Sequence, residues 1–253
     1  MVSPVLIAAR SALFFLFLAG TTILLMIVLS PTLLLSDRAF YGGVRFWTRV
    51  VLAGLRVICG VRMRVAGREH IPTGPALVAA NHQSMWETIA LFHILPRGVM
   101  VYKRELNALP IYRLWGKRAG VPVDRDAGAK ALRAMTTAAS AAASSGKQII
   151  VFPEGTRTPI GERRAFQPGV AALYKALDIP CTPVAHNSGA HWRHPGPIKI
   201  PGEIVIAFLP PIAPGLDRKT FVRDLENAIA EARAGLPTQA PSAPTAQMKD
   251  AAA

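Results

Sequence analysis

An uncharged apolar segment near the N-terminus constrains the fold of this 253-residue chain more than any other feature. The 26 residues from Ser11 to Ser36 carry no charged side chain. As a helix rising about 1.5 Å per residue, the segment can cross a hydrocarbon core of about 30 Å, even with a kink at Pro31. It is too long for the apolar part of a signal peptide, and no small-residue cleavage site follows it. We therefore predict a retained membrane anchor.

The charges on either side of this segment predict its orientation. Only Arg10 precedes the apolar run, whereas residues 38–68 hold seven arginines and no acidic residue. Because positive charge concentrates on the cytoplasmic side of membrane segments, the large C-terminal part should face the cytoplasm. The expected location is thus the inner (cytoplasmic) membrane.

Four of the flanking arginines recur at helical spacing, namely Arg38, Arg45, Arg49 and Arg56. At about 100° per residue they fall within a strip of roughly 40° on a helix. The remaining faces carry apolar residues, namely Phe40, Val44, Trp47, Val51, Leu55 and Ile58. This pattern favours a helix in the membrane interface, with its arginines toward anionic lipid phosphates. An ordinary packed helix with a solvated arginine face is the alternative.

Composition narrows the class of protein further. A hydrophobic content of 51% with only two cysteines, Cys59 and Cys181, excludes a disulfide scaffold, a collagen-like chain and a wholly disordered one. The two cysteines should be reduced and buried. The net charge of +14 indicates a phosphate-bearing partner. A mean hydropathy of +0.30 favours membrane lipids as that partner and excludes nucleic acid.

Beyond residue 60 the pattern is that of an α/β domain. Val61–Val65 alternates apolar and charged residues, which predicts a half-exposed edge strand. Further strands are predicted from short apolar runs at 75–80, 98–102, 121–123, 148–152, 181–185 and 203–209. Helices are predicted at 127–144, at 170–177 and from a cap at Asp217 to about Ala234. This alternation predicts a mixed, largely parallel sheet flanked by helices. The tail, 236–253, is expected to be disordered.

Polar residues follow several of these strands, and the carboxyl ends of parallel strands meet at one edge of a sheet, where ligands bind. His82 and Glu87 follow the first buried run. They would lie about 140° apart on one helix, but they can meet if His82 is in the loop and Glu87 in the first turn of the next helix. The carboxylate would then orient the imidazole as a base for an alcohol. A histidine that caps its own loop is the alternative.

A second polar group, Phe152–Arg157, follows the fourth buried run. A strand that ends in a turn containing Gly155 exposes backbone N–H groups. Thr156 adds a hydroxyl and Arg157 a planar guanidinium, both suited to a phosphate. The alternative is a turn with a surface arginine.

Together these residues resemble the glycerolipid acyltransferase family. The resemblance runs from about Val61 to Leu209 and uses four blocks in the family's order, Asn81–Glu87, Gly120–Arg125, Phe152–Arg157 and Thr182–Ala185. Four ordered blocks behind an apolar anchor are highly specific. Glu87 stands where the commonest family residue is Asp, and the longer side chain can serve the same orienting role.

The resemblance implies a function and the residues that carry it. His82 would be the general base, oriented by Glu87, and the acyl donor a thioester of CoA or of acyl carrier protein. The acceptor would be lysophosphatidic acid, acylated at its sn-2 hydroxyl to phosphatidic acid. The candidate phosphate-binding residues are Lys103, Arg125, Glu154, Gly155, Thr156 and Arg157. Residues 1–60 would form the anchor and interfacial helix, and 61–235 the acyltransferase domain. No metal or prosthetic group is expected.

Several alternatives stay open from the sequence. Ser84 could be a nucleophile with His82 as its base. The histidines at 186, 191 and 194 could suggest zinc, although the glycines and prolines between them favour a loop. The acceptor could be a lyso-ornithine lipid or a lysophospholipid with a larger headgroup. In another class, the chain could be a non-catalytic protein that binds anionic membranes.

Overall fold

Five mutually parallel strands, from the middle of the sheet to one of its edges, make up most of a sheet in this computed structural model, which describes residues 2–124 and 127–237. The strands are β1 (Val61–Ala66), β2 (Ala76–Ala80), β3 (Gly98–Lys103), β4 (Gly120–Val123), β5 (Gln148–Val151), β6 (Cys181–His186) and β7 (Gly202–Phe208). Within the described residues, the seven strands lie in the order β1-β7-β6-β2-β5-β3-β4. Only the β6–β7 pair is antiparallel among these described strands. The predicted mixed, largely parallel sheet is confirmed, with β1 at its edge.

Helices cover both faces of this sheet. They are α1 (Pro4–Val28), α2 (Asp37–Cys59), α3 (Trp86–Ile94), α4 (Pro110–Ala119), α5 (Gly128–Ser144), α6 (Pro168–Leu177), α7 (Ser188–His191) and α8 (Arg218–Ala234). Short 3-10 turns lie at Ser30–Leu34, Arg68–His70 and Arg104–Ala108. The Asp217 carboxylate caps α8 by accepting hydrogen bonds from two backbone amides, as its position before the helix predicts.

The fully buried strand β2 separates two hydrophobic cores, since successive side chains of a strand point to opposite faces. Val78 and Ala80 pack with apolar residues of α1, α2 and α3. Leu77 and Ala79 pack with those of α5, α6 and α8. The β2–α3 loop therefore starts from the most enclosed strand, with a neighbour on each side to supply side chains at its carboxyl end.

Helix α1 belongs both to the core and to the apolar surface. By length and composition it is the one helix in the described part of the chain that could cross a membrane. Its buried residues, Ser11, Phe14 and Leu18, share one face and contact the domain. Phe15 and Leu16 are 59% and 67% exposed on other faces. One side of α1 is therefore fixed to the protein, and the other is free for lipid.

Helix α2 has the two faces that the sequence predicts. Phe40, Val44, Val51 and Leu55 are among its buried residues, while Arg38, Arg49 and Arg56 are exposed. Arg45 departs from this strip because its guanidinium is partly buried and donates to the carbonyl of Pro96 at 2.8 Å.

The linker between α1 and α2 is held by ion pairs. The Asp37 carboxylate lies 2.7 Å from Arg97 and 2.5 Å from Arg118. Arg118 also donates to three linker carbonyls and covers the ring of Phe40.

The first two residues of the predicted disordered tail are ordered. The side-chain amide of Asn187 donates a hydrogen bond to the carbonyl of the second of them, Pro237. Positions 238–253 of that tail lie outside the described residues.

A substitution at Gly67 tests the close packing between the end of β1 and β7. Its backbone is in the left-handed region (φ 62°), and a Cβ atom there would overlap the carbonyl oxygen of Phe208. We predict that Gly67→Ala lowers the melting temperature by about 5 °C or more in detergent solution, because the strain of roughly 1–2 kcal/mol adds to the overlap. Gly74→Ala, with open space around the new Cβ, is the control and should melt like the wild type.

Candidate active site

The loop between β2 and α3 brings the predicted His82–Glu87 pair together. β2 ends at Ala80, His82 lies in the loop, and Glu87 is in the first turn of α3. His82 Nδ1 is 2.7 Å from Glu87 Oε1. Because the carboxylate accepts the Nδ1 proton, Nε2 is the nitrogen with a free lone pair. The imidazole is 16% exposed, so a substrate can reach it.

The Glu87 carboxylate is fully buried and saturated with hydrogen bonds. Oε1 accepts from the backbone amides of Gln83 and Ser84, each at 2.7 Å. Oε2 accepts from the hydroxyls of Ser84 at 2.7 Å and Ser188 at 2.8 Å. Burial opposes ionisation, but the hydrogen bonds that Glu87 accepts from His82 and from the backbone amide of Ser84 outweigh it and hold the pKa of Glu87 below its usual range. The carboxylate is therefore charged at neutral pH.

Ser84 serves the carboxylate rather than acting as a nucleophile. Its hydroxyl is fully buried, donates to Glu87 and accepts a hydrogen bond from the amide of Trp86 at 2.9 Å. A substrate carbonyl has no access to that oxygen. The fully buried Trp86, two residues further on, packs in the hydrophobic core.

His186 supports the pair from the end of β6. Its Nε2–H donates to the carbonyl of Asn81 at 2.6 Å and lies 4.0 Å from Glu87 Oε1. The Asn81 amide bonds in turn to both backbone groups of His186. Burial lowers the pKa of His186, which keeps the ring neutral. The ends of β2 and β6 are thereby joined directly behind the catalytic loop.

The three histidines considered for zinc do not converge. His186 bonds to Asn81, the buried His191 to the carbonyl of Ile200, and the exposed His194 to Arg157. Within residues 2–124 and 127–237, no three His, Cys, Asp or Glu side chains are arranged to hold a metal ion.

The turn after β5 contacts the β2–α3 loop from the side opposite to β6. The His82 ring stacks on Phe152 with centroids 4.2 Å apart. The backbone of His82 donates to Glu154 Oε2 at 3.2 Å and accepts from the amide of Thr158 at 2.7 Å. Gly155 is required here, because its φ is 73° and a Cβ atom would come within 2.8 Å of Gln167. Thr156 is exposed at the tip of this turn.

The candidate phosphate-binding residues fall into different places. Arg157 lies next to the catalytic loop, and its Nε is buried without a hydrogen-bond partner in the described part of the chain. Lys103 is exposed at the end of β3, 3.5 Å from Glu105. Glu154 does not suit a phosphate site, because its buried carboxylate accepts from His82 and lies 3.6 Å from Arg233. Arg125 lies outside the described residues.

Sequence reasoning missed the residues that support Glu87 from a distance. Asn81, His186 and Ser188 lie at or just after the ends of buried strands, but nothing in the sequence links them to Glu87. Ser188 is 101 positions away from it. One feature of the sequence could have indicated this contact. Polar groups at the ends of two buried strands meet when the strands are neighbours in the sheet, and β2 and β6 are neighbours.

Comparisons with known proteins agree with this geometry. A family model described as Acyltransferase matches residues 62–187. The chain is 34% identical over 209 residues to a 1-acyl-sn-glycerol-3-phosphate acyltransferase of Pseudomonas aeruginosa, which covers 80% of each chain. It is 30% identical over 150 residues to the human 1-acyl-sn-glycerol-3-phosphate acyltransferase alpha, covering 55% of this chain and 50% of that protein. The crystal structure of the 1-acyl-sn-glycerophosphate acyltransferase from Thermotoga maritima shares the fold, with a TM-score of 0.75 at 19% identity, covering 91% of this chain and 99% of that one.

The protein is therefore an enzyme that transfers acyl groups. The chain belongs to the glycerolipid acyltransferase family, which confirms the resemblance of its four sequence blocks. Its apolar α1 is consistent with association with a membrane.

The hydrogen bonds to Glu87 should control turnover. We predict that Glu87→Gln lowers kcat by about a hundred- to ten-thousandfold, because a neutral amide cannot orient and stabilise the charged imidazole. Ser188→Ala should lower kcat about tenfold, since it removes one hydrogen bond to a buried charge. Steady-state kinetics measure both effects. Ser145→Ala, at an exposed helix end, is the control, and a Ser188→Ala enzyme as fast as this control would contradict the role of Ser188.

Proposed function

We propose that this enzyme transfers a fatty acyl group from acyl-CoA or acyl carrier protein to the sn-2 hydroxyl of 1-acylglycerol 3-phosphate. The product is phosphatidic acid for phospholipid synthesis. The observation that carries the proposal is an accessible imidazole, oriented by a buried carboxylate, beside an arginine with an unused donor. The printed names of the Pseudomonas and human relatives describe this same reaction for those proteins.

The acyl transfer needs one base and one activated carbonyl. His82 Nε2 takes the proton of the acceptor hydroxyl as its oxygen attacks the thioester carbonyl, forming the new C–O bond. The resulting imidazolium is stabilised by the Glu87 carboxylate. When the tetrahedral intermediate collapses, the C–S bond breaks, and the imidazolium returns the proton to the thiolate. The thioester supplies the activation, so the proposed reaction uses no prosthetic group.

The acceptor is positioned by its phosphate. Arg157 presents a planar set of N–H donors one residue before Thr158, whose amide bonds to the backbone of His82. A phosphate held there stands at a fixed distance from the base, which converts binding into alignment of the hydroxyl. We include the exposed Thr156 in this site and Lys103, at the carboxyl end of β3, as a further cation. Arg125, which lies outside the described residues, is kept in the proposal from the sequence alone.

Helices α1 and α2 suit a location at the inner membrane, with the domain on the cytoplasmic side. The exposed apolar face of α1 continues into Leu34 and Leu35, which are 91% and 56% exposed. The exposed arginines of α2 follow directly and would contact anionic headgroups. Both lipid substrates are concentrated in this layer.

An acceptor assay tests the function. Purified wild type should acylate lysophosphatidic acid faster than a lyso-ornithine lipid or a lysophospholipid with a larger headgroup, with one labelled acyl-CoA and then one acyl carrier protein thioester. His82→Ala should lose at least about a thousandfold in rate while still floating with vesicles. A preference for a zwitterionic acceptor would contradict lysophosphatidic acid as the acceptor. Equal rates of wild type and His82→Ala would contradict the role of His82 as the general base. A vesicle-binding protein with no acyl transfer would be the non-catalytic alternative.

The arginines of α2 give a separate prediction about the membrane. We predict that Arg49→Gln combined with Arg56→Gln weakens binding to vesicles containing anionic lipid by about tenfold or more, since each arginine near such a surface contributes about 1 kcal/mol. Binding to purely zwitterionic vesicles should stay the same. Arg223→Gln, 64% exposed on α8 over the opposite core, is the control for lost charge. Equal weakening by Arg223→Gln would contradict this placement.

A further inference from the structure

A loop outside the region matched by the family model reaches the candidate phosphate site. The Trp192–Lys199 loop follows α7, whereas the matched region ends at residue 187. His194, at an exposed position of this loop, has its Nδ1 atom 3.2 Å from Nη1 of Arg157. The sequence placed His194 only among possible zinc ligands, and the structure places it at the active site.

The direction of this contact fixes the state of the His194 ring. A guanidinium can only donate, so Nδ1 accepts and the ring is neutral, with its proton on Nε2. Partial burial and the charge of Arg157 lower the pKa of His194, which agrees with a neutral ring. The loop then presents the exposed Nε2–H of His194 beside the guanidinium of Arg157, whose buried Nε has no hydrogen-bond partner in the described part of the chain. An imidazole N–H beside a guanidinium complements phosphate oxygens.

We propose that His194 is a second acceptor-phosphate-binding residue beside Arg157, and that helix α1 holds the loop that carries it. The inference rests on the proposed function, and it names a residue and a support that the family region does not contain. A phosphate monoester, with three terminal oxygens, can accept from both side chains at once. An acceptor without a phosphate gains nothing from either.

The loop is closed on itself by backbone pairing. Trp192 and Lys199 form an antiparallel bridge, and the amide of Arg193 donates to the carbonyl of Ile198 at 3.2 Å. The Lys199 ammonium donates to the carbonyl of Pro197 at 2.6 Å. His194 therefore projects from a loop with a defined shape.

The base of the loop is fastened to α1. The amide of Lys199 donates to the buried hydroxyl of Ser11 at 2.9 Å. The ring of Phe14 meets Trp192 edge to face, with centroids 5.5 Å apart. The Lys199 ammonium lies 4.5 Å above the Trp192 ring and 5.7 Å from that of Phe14. The buried side of the candidate membrane helix thus positions the loop that borders Arg157.

Substitution of His194 tests the binding role. Kinetics in detergent micelles should be compared for lysophosphatidic acid and for 1-monoacylglycerol, which has no phosphate. His194→Ala should raise KM for lysophosphatidic acid about ten- to hundredfold and change kcat less than about twofold, with no change for monoacylglycerol. His194→Gln, which keeps a donor, should recover part of the loss. His70→Ala, on the Arg68–His70 turn, is the control.

The outcomes separate this inference from the proposed function. Wild type that shows no preference for lysophosphatidic acid over monoacylglycerol would overturn the proposed acceptor before any variant is made. Given that preference, an unchanged KM in His194→Ala, or equal changes for both acceptors, would overturn the binding role of His194. A raised KM for the phosphate acceptor alone would support it.

The role of α1 needs a readout that does not depend on membrane binding, and micelles provide one. Phe14→Ala should raise KM for lysophosphatidic acid severalfold without changing KM for the acyl donor. Phe15→Ala is the matched control, because this neighbouring ring is 59% exposed, whereas Phe14 is fully buried. If Phe14→Ala does not fold, Ser11→Ala removes one hydrogen bond to the loop and should shift the same constant. Equal effects of Phe14→Ala and Phe15→Ala, or a parallel change in the donor KM, would overturn the support by α1.

Discussion

The buried carboxylate of Glu87 is the constraint on which the rest of the site depends. An ionised carboxylate in a protein interior costs several kcal/mol unless its oxygens are fully bonded. Glu87 meets this condition with four hydrogen bonds besides the one from His82. Three of them come from its own loop, and the fourth comes from Ser188 beyond β6. This fourth hydrogen bond requires β6 to lie beside β2 in the sheet. The same pairing of strands places His186 in contact with Asn81, at the start of the β2–α3 loop.

The same loop is held from the opposite side by the turn after β5. The carboxylate of Glu154 accepts a hydrogen bond from the amide of His82, and the amide of Thr158 donates one to the carbonyl of His82. Both backbone groups of the base are therefore held by this turn. Phe152 fixes the plane of the ring. Since Arg157 lies within this turn, the contacts that hold the base also set its distance from the guanidinium. The group proposed to bind the phosphate and the group proposed to take the proton are thus held at a fixed separation. Catalysis by alignment of the bound hydroxyl with the base requires such a fixed separation.

How far the sequence predicts this structure depends on how local each signal is. The strand runs, the α8 cap at Asp217 and the meeting of His82 with Glu87 are confirmed, because each follows from a few adjacent residues. The contribution of Ser188 could not be predicted, since it depends on which strands are neighbours. Glu154 was grouped with the phosphate ligands because a turn sequence does not show which side chains face inward. The same ambiguity hid the two faces of α1.

Those two faces explain how one helix can serve both lipid and protein. Residues at positions 11, 14 and 18 recur every three or four positions and enter the core, whereas Leu13, Phe15 and Leu16 between them are apolar but exposed. A helix that was only an anchor would have no need of a hydroxyl that accepts a hydrogen bond from outside the helix. Ser11 finds its partners inside the protein, the carbonyl of Ile7 and the amide of Lys199. The sequence of α1 is therefore constrained by the active-site loop as well as by the membrane.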